Sequence, residues 1–199
     1  ILRILDANAN RALEGLRVVE EYLRFVLDDR HLTGICKQLR HDLAKILAEL
    51  PLSELHAARE TRHDVGTVLS AEDEYHRTSA RDVAIASQKR VEQALRSLEE
   101  YAKPHFPHIA ASLEQLRYRA YTLAKTTVLT AASCEELKSA QLYVLIDGRG
   151  SPQEFLEMAR SLVASGVHIL QLRDKVLPDG VLLGRARLLR DVTRSSPTL

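Results

Sequence analysis

Tryptophan is absent from this 199-residue chain, and aromatic residues make up only 5% of it. So few flat side chains leave no material for the stacking platforms that hold single-stranded nucleic acid. Charge gives the same answer. The chain has 28 Lys and Arg against 27 Asp and Glu, a formal net charge of +1, so no basic field is available to grip a phosphate backbone. Nucleic acid is therefore not an expected partner. The two cysteines, Cys36 and Cys134, lie far apart without C-x-x-C or Cys/His ligand spacing. Free thiols in a reducing, cytoplasmic setting are expected, rather than a disulfide or a zinc site. No apolar run approaches the ~20 residues of a membrane span and no signal-peptide pattern is visible, so no membrane partner is expected. Glycine-rich phosphate loops are missing too: neither G-x-x-x-x-G-K-[ST] nor G-x-G-x-x-G occurs.

What is present is the 45% apolar, mixed-charge composition of a globular protein, in two regions of different character. Residues 1–130 read as helix after helix. Leu13, Leu16, Val19, Leu23, Val26 and Leu27 recur at helical spacing between Asp6 and Asp28, with Asp6 or Asn8 as N-cap. A second helix is expected over Leu32–Leu50, stopped by Pro51. Residues 53–75 read as irregular. A third helix is expected over Ser79–Lys103 and a fourth over Ile109–Leu129. Residues 131–140 read as a linker or short helix.

The helical region repeats itself. Arg11-Ala-Leu-Glu14-Gly-Leu16-Arg17-Val-Val-Glu20-Glu21-Tyr22 aligns without gaps on Arg90-Val-Glu-Gln93-Ala-Leu95-Arg96-Ser-Leu-Glu99-Glu100-Tyr101, and Gln38-Leu39-Arg40 falls opposite Gln115-Leu116-Arg117. A helix pair used twice implies a four-helix bundle of approximate two-fold symmetry. Repeated leucines follow from two cores. Repeated arginines have two readings: surface pairs at i,i+3 and i,i+4, such as Arg17 with Glu21, or a paired anion site across the pseudo-dyad.

From residue 141 the pattern changes to strand, helix, strand, helix, the order of a parallel α/β fold. Gln141–Asp147 reads as a strand and Pro152 starts a helix with Phe155, Leu156, Ala159, Leu162 and Val163 inward. Gly166 stops that helix, Val167–Lys175 reads as the second strand, and Gly180–Arg194 as the second helix. Strand alternation then puts Gln171, Arg173 and Lys175 on one face, at the C-terminal end where parallel sheets hold ligands. The alternative is a strand running out into solvated charges. Two such units cannot close a barrel, so this region is expected to be the opening part of a larger domain.

Leu142-Tyr143-Val144-Leu145-Ile146-Asp147, Ala164-Ser165-Gly166-Val167 and Gln171-Leu172-Arg173-Asp174-Lys175 together resemble the start of thiamine-phosphate synthases. The resemblance implies the first two units of a (β/α)8 barrel that joins a pyrimidine-methyl diphosphate to a thiazole phosphate, releasing diphosphate. It implies Gln171, Arg173 and Lys175 as contacts of the pyrimidine diphosphate. The Mg²⁺-binding aspartates of such a barrel are expected on later strands, beyond Leu199, with no metal ligands of that site in this chain. Alone, the chain is expected to be inactive as a synthase. The thiazole tautomerases share the motif in looser form and are the alternative within this fold.

Residues 3–127, through Asp6-Ala7-Asn8-Ala9-Asn10-Arg11-Ala12-Leu13-Glu14-Gly15-Leu16-Arg17, Arg62-His63-Asp64-Val65-Gly66-Thr67 and Arg90–Tyr101, resemble a helical domain often fused ahead of that barrel and assigned as a hydroxymethylpyrimidine phosphate kinase. The resemblance implies ATP as co-substrate and phosphorylated pyrimidine and thiazole compounds as partners. A kinase site built without a glycine loop needs arginines and a carboxylate-held Mg²⁺ on helices. Asn8, Asn10, Arg11, Glu14 and Arg17 at one helix start, Asp64 in the following loop and Arg90 in the repeat are the candidates. In the second copy, Ser87 and Gln93 stand where Asn and Glu are expected. His63 reads as solvated, and Arg59 and Arg62 as candidates for loop salt bridges. A non-catalytic dimerisation or regulatory module, with a homodimer as partner state, is the alternative for this region.

Overall fold

The computed structural model describes residues 1–65 and 76–199; Gly66 and Thr67 of the loop motif lie outside the described residues. The chain divides into two compact units, Ile1–Cys134 and Glu135–Leu199.

The first unit is helical: α1 (Leu2–Phe25), α2 (Arg30–Leu47), α3 (Leu52–Ala57), α4 (Ala80–Ala102) and most of α5 (Pro107–Ser139). The starts of α2 and α4 carry side-chain caps. Asp29 accepts from the Leu32 N–H at 2.8 Å to open α2, and the Ser79 hydroxyl accepts from the Asp82 N–H at 3.1 Å to open α4. Leu5, Leu16, Val19 and Leu23 of α1 meet Leu39 and Leu43 of α2, Val91, Leu95 and Leu98 of α4, and Ile109 and Leu113 of α5 in one core. α1 packs closely on α4, and Gly15 sits where they approach. A Cβ there would meet Val91 Cγ2 at 2.7 Å and the Ser87 carbonyl at 3.2 Å.

Several expectations are corrected here. α1 begins at Leu2, so Asp6 and Asn8 are not N-caps but interior helix residues, with the Asn8 amide donating back to the Ile4 carbonyl at 2.9 Å. An apolar start, Leu2-Arg-Ile-Leu5, extends the helix beyond the polar residues that look like a boundary. Val26 lies past the end of α1 and is 54% exposed rather than core. Residues 53–75 are not wholly irregular: Pro51 opens α3, whose Leu55 is buried in the core. Residues 131–139 form no separate linker but continue α5, since Ala131–Ser139 holds no proline or glycine to stop it.

The second unit runs β1 (Tyr143–Ile146), α6 (Pro152–Ala164), β2 (Ile169–Leu172) and α7 (Asp179–Thr193). The strands pair in parallel with Tyr143 opposite Ile169 and Ile146 opposite Leu172. A complete capping box, Ser151 with Glu154, starts α6 behind Pro152, and Gly166 at φ +77° receives the chain after it. Phe155 and Ala159 of α6 and Leu189 of α7 cover Ile146 and Leu170. The opposite sheet face carries Tyr143, Leu145 and Gln171, all exposed. β2 stops at Leu172, not Lys175. Arg173 still donates its N–H to the Ile146 carbonyl at 2.8 Å, but the Asp174 carboxylate then accepts from the N–H groups of Val176 at 2.8 Å and Leu177 at 2.9 Å. That Asx turn ends the extended backbone, so simple alternation does not carry through to Lys175.

Candidate functional site

Arg17 and Arg96 hold equivalent places in the two sequence copies, and both are spent on structure. Arg17 pairs with Glu20 at 3.7 Å and Glu21 at 3.3 Å, and Arg96 with Glu99 at 2.8 Å and Glu100 at 2.7 Å. The first glutamate of each pair turns inward to an arginine of the next helix: Glu20 accepts from Arg40 Nε at 2.9 Å, Glu99 from Arg117 Nε at 2.8 Å.

Arg11 and Arg90 behave differently. Among the described residues neither makes a side-chain hydrogen bond or ion pair, and both face one cleft of about 560 Å³ between α1 and α4. Among the described residues its lining consists of five pairs of sequence-matched positions: Asn8 with Ser87, Arg11 with Arg90, Glu14 with Gln93, Gly15 with Ala94 and Val18 with Ser97. Among the described residues, two guanidiniums, one carboxylate and four neutral polar side chains line it, beside Gly15, Val18 and Ala94. Exposed guanidiniums that pair with no carboxylate among the described residues are available to a phosphate, which they grip through paired N–H donors.

A second recess, of about 380 Å³, adjoins it. Arg3, Ile4, Ala7, His63, Asp64 and Val65 line it together with Asn8 and Arg11. Its outer wall is the segment after α3, fastened to α1 in two places. Arg59 clasps the buried Asp6 carboxylate with two bonds of 2.7 Å, holding that carboxyl below the usual carboxylate range. Arg3 donates to the Glu60 carbonyl at 2.7 Å and pairs with Asp64 at 3.1 Å. The loop salt bridge read for Arg59 is thus formed.

The structure therefore gathers Asn8, Arg11, Glu14 and Arg90 around one cleft and brings Asp64 to the recess next to it. It sets Asn10 and Arg17 apart: Asn10 donates to the Asp6 carbonyl at 3.0 Å, and Arg17 is held by its glutamates. Ser87, Gln93 and Ser97 entered the lining through register alone. Cys36 is no nucleophile: burial pushes its thiol up to about 12, and it donates to the Leu16 carbonyl at 3.4 Å. Among the described residues no group of three His, Cys, Asp or Glu side chains is set to hold a metal, and no helix is long and apolar enough to cross a membrane.

In the second unit, Gln171, Arg173 and Lys175 are exposed at and beyond the C-terminal end of β2. The Tyr143 hydroxyl donates to the Gln171 amide oxygen. Arg173 and Lys175 carry no ion pair among the described residues. Asp174 turns the other way and also accepts from the Gly148 N–H at 3.0 Å, tying the loop after β1 to the loop after β2. The Gly148 carbonyl accepts from the buried Arg185 Nε at 2.9 Å, and a Cβ on Gly148 would collide with Leu177.

Residues 3–126, the span that builds both cavities, match the profile of the ThiD2 family. The chain belongs to that family. It is also similar along its length to proteins named thiamine-phosphate synthase. The Synechocystis protein is 42% identical over 200 residues, covering 100% of this chain and 56% of the relative. The Gloeobacter violaceus protein is 43% identical over 194 residues, covering 97% and 54%. The Rhodopirellula baltica protein is 40% identical over 192 residues, covering 94% and 51%. The chain thus spans about half the length of the curated relatives it matches. No solved structure matches it.

Proposed function

We propose that the helical unit phosphorylates a pyrimidine monophosphate to the diphosphate with ATP, and that the second unit begins a thiamine-phosphate synthase barrel that consumes this product. The observation that carries the kinase reading is the α1–α4 cleft, where Arg11 and Arg90 form no ion pair among the described residues. Phosphoryl transfer needs positioning and charge stabilisation more than covalent chemistry, and paired guanidiniums supply both. Mg²⁺ bound to a nucleotide needs only one or two protein carboxylates, with phosphates and waters completing its shell. Glu14, the one carboxylate lining the cleft among the described residues, fits that demand and would hold the ion, which supplies charge neutralisation to the phosphates when bound.

The barrel reading draws on β1, α6, β2 and α7 in parallel order and on β2's second edge. There Leu199 exchanges backbone bonds of 2.8 Å with His168 and Leu170, as a third strand would. Gln171, Arg173 and Lys175 are its proposed contacts to the pyrimidine diphosphate, the cations to the phosphates and the amide to the ring. Magnesium for that reaction is assigned to later strands. A cytoplasmic setting, where ATP and phosphorylated intermediates are at hand, completes the reading.

The test is direct. The 199-residue chain, given ATP, Mg²⁺ and the pyrimidine monophosphate, should form ADP and the pyrimidine diphosphate; given the diphosphate and thiazole phosphate, it should form no thiamine phosphate. Absence of ADP formation beyond background would sink the kinase reading and leave the helical unit as a dimerisation or regulatory module. Thiamine phosphate from this chain alone would overturn the assignment of the metal site to later strands.

A further inference from the structure

The cleft and the recess share a wall. Asn8 and Arg11 line both, and among the described residues no other side chain is shared between the two. Resting on the kinase reading above, we propose that these are two substrate pockets meeting at Arg11. The cleft takes the polyphosphate of the nucleoside triphosphate, and the recess takes the pyrimidine monophosphate.

Charge and size decide which is which. A polyphosphate spreads its charge along a chain and calls for more than one cation and a carboxylate for its metal ion. The cleft is the larger cavity and offers Arg11, Arg90 and Glu14. In the recess Arg3 is already paired with Asp64, so among the described residues Arg11 is the guanidinium without an ion pair that faces it, which suits a single phosphate. Ile4, Ala7 and Val65 give that recess an apolar wall for a methylated ring. An oxygen of the acceptor phosphate dianion attacks the γ-phosphorus. The bond from γ-phosphorus to the bridging oxygen breaks, and its electron pair leaves on ADP; no proton need move. The group in flight passes Arg11. Arg90, at a sequence-equivalent position, touches the donor alone. Two arginines matched by the repeat thus acquire unequal roles.

Steady-state kinetics of the chain, with ATP and the pyrimidine monophosphate both varied, separates the pockets. Arg90→Gln should raise the KM for ATP about tenfold or more, as loss of a charged hydrogen bond does, and leave the acceptor KM within about twofold. Ala7→Leu, which fills the recess with a good helix former, should do the reverse. Arg11→Gln should lower kcat by about 10³, the range of an arginine serving the transferring group. Arg11→Lys, keeping charge without the planar fork, should recover part of it. Thermal melting by circular dichroism checks each variant's fold.

ADP binding by calorimetry reads the cleft without turnover: Arg90→Gln should weaken it and Ala7→Leu should not. If the unaltered chain forms no ADP, the kinase reading fails, while this binding pattern still decides which cavity takes the nucleotide. Equal kcat losses for the Arg11 and Arg90 variants, an acceptor KM that rises with Arg90→Gln, or ADP binding indifferent to Arg90 would each overturn the assignment.

Discussion

The segments Arg11–Tyr22 and Arg90–Tyr101 share a pattern of residues, yet they are furnished differently. At their C-terminal ends they are alike: arginine, glutamate and a cross-helix arginine form the same chain of ion pairs twice. At their N-terminal ends they diverge. Asp6 in α1 receives Arg59 from the segment after α3, and that segment builds the recess. The matching position in α4 is Ile85, which offers no carboxylate to such a clasp. Glu14 faces Gln93, and Asn8 faces Ser87. The shared end holds the helices together, and the unequal end is where two substrates are told apart.

The sharpest way to break the shared part is at Arg117. Both Glu99 and Arg117 are buried, whereas Arg40, the partner of Glu20, is 27% exposed. Arg117 also lies over the rings of Tyr118 and Tyr121, at 4.7 and 5.5 Å. Arg117→Met keeps the volume and strands a buried carboxylate, so it should cost about 3 kcal/mol in urea unfolding, the low end for a broken buried pair because Arg96 still reaches Glu99. Arg40→Met should cost clearly less, since solvent and Arg17 remain to Glu20. Equal losses would mean that the two halves carry load equally and that burial of the second pair is irrelevant.

The unequal part is tested at Glu14 and Gln93. Glu14→Gln removes the one carboxylate that lines the cleft among the described residues and makes the pair identical. ADP formation should fall about 10²-fold, on the scale of losing one preorganised charge-stabilising group, and the residual rate should no longer respond to raised Mg²⁺. Gln93→Ala should cost less than a tenth of that effect. A Gln93→Ala loss as large as that of Glu14→Gln would assign the metal-facing role to the wrong half.

How much of this the residues announced depends on the kind of signal. Helix positions followed from apolar spacing and from Ser79 and Pro152, because capping and φ restriction are local, while the Asp29 cap that opens α2 at Arg30 went unread. The close α1–α4 approach did not follow. Gly15 reads as a weak helix residue until Val91 is seen against it. Arg11 and Arg17 each have a glutamate three residues on, Glu14 and Glu20, so spacing does not by itself say which arginine pairs. Only the partners separate them, glutamates for Arg17 and an open cleft for Arg11. The β2 boundary failed because Asp174 captured backbone N–H groups, a competition that alternation of side chains does not register.

The Asp6–Arg59 clasp should show itself in acid. Asp6 is held below the ordinary aspartate value first by the hydrogen bonds from Arg59, so the folded state binds its proton less readily than the unfolded chain does. The stability this contributes is full above the unfolded aspartate value and is lost as pH falls through the lowered folded one. Arg59→Gln should therefore flatten the acid limb of stability against pH and change little near pH 7 beyond loss of an ion pair whose arginine is half-exposed. The effect should be smaller than that of Arg117→Met. An unchanged acid limb would mean that Arg59 is not what sets Asp6, and would loosen the account of how the recess is walled on one side only.

The smallest effect is expected at Arg96, and it separates the two kinds of repeated arginine. Its guanidinium is 54% exposed and bonds Glu99 and Glu100 on its own helix. Exposed pairs of this type are worth about 0.2–1 kcal/mol, and Glu99 keeps Arg117 when Arg96 is lost. Arg96→Gln should thus lower stability by no more than about 0.5 kcal/mol, and by less still in 1 M salt, where such pairs are screened. Its affinity for ADP should equal that of the unaltered chain, in contrast to Arg90→Gln a turn and a half earlier. If Arg96→Gln weakened ADP binding as Arg90→Gln does, then the bonds to Glu99 and Glu100 would not have removed Arg96 from the site. The distinction between arginines that hold the bundle and arginines that hold phosphate would then have to be redrawn.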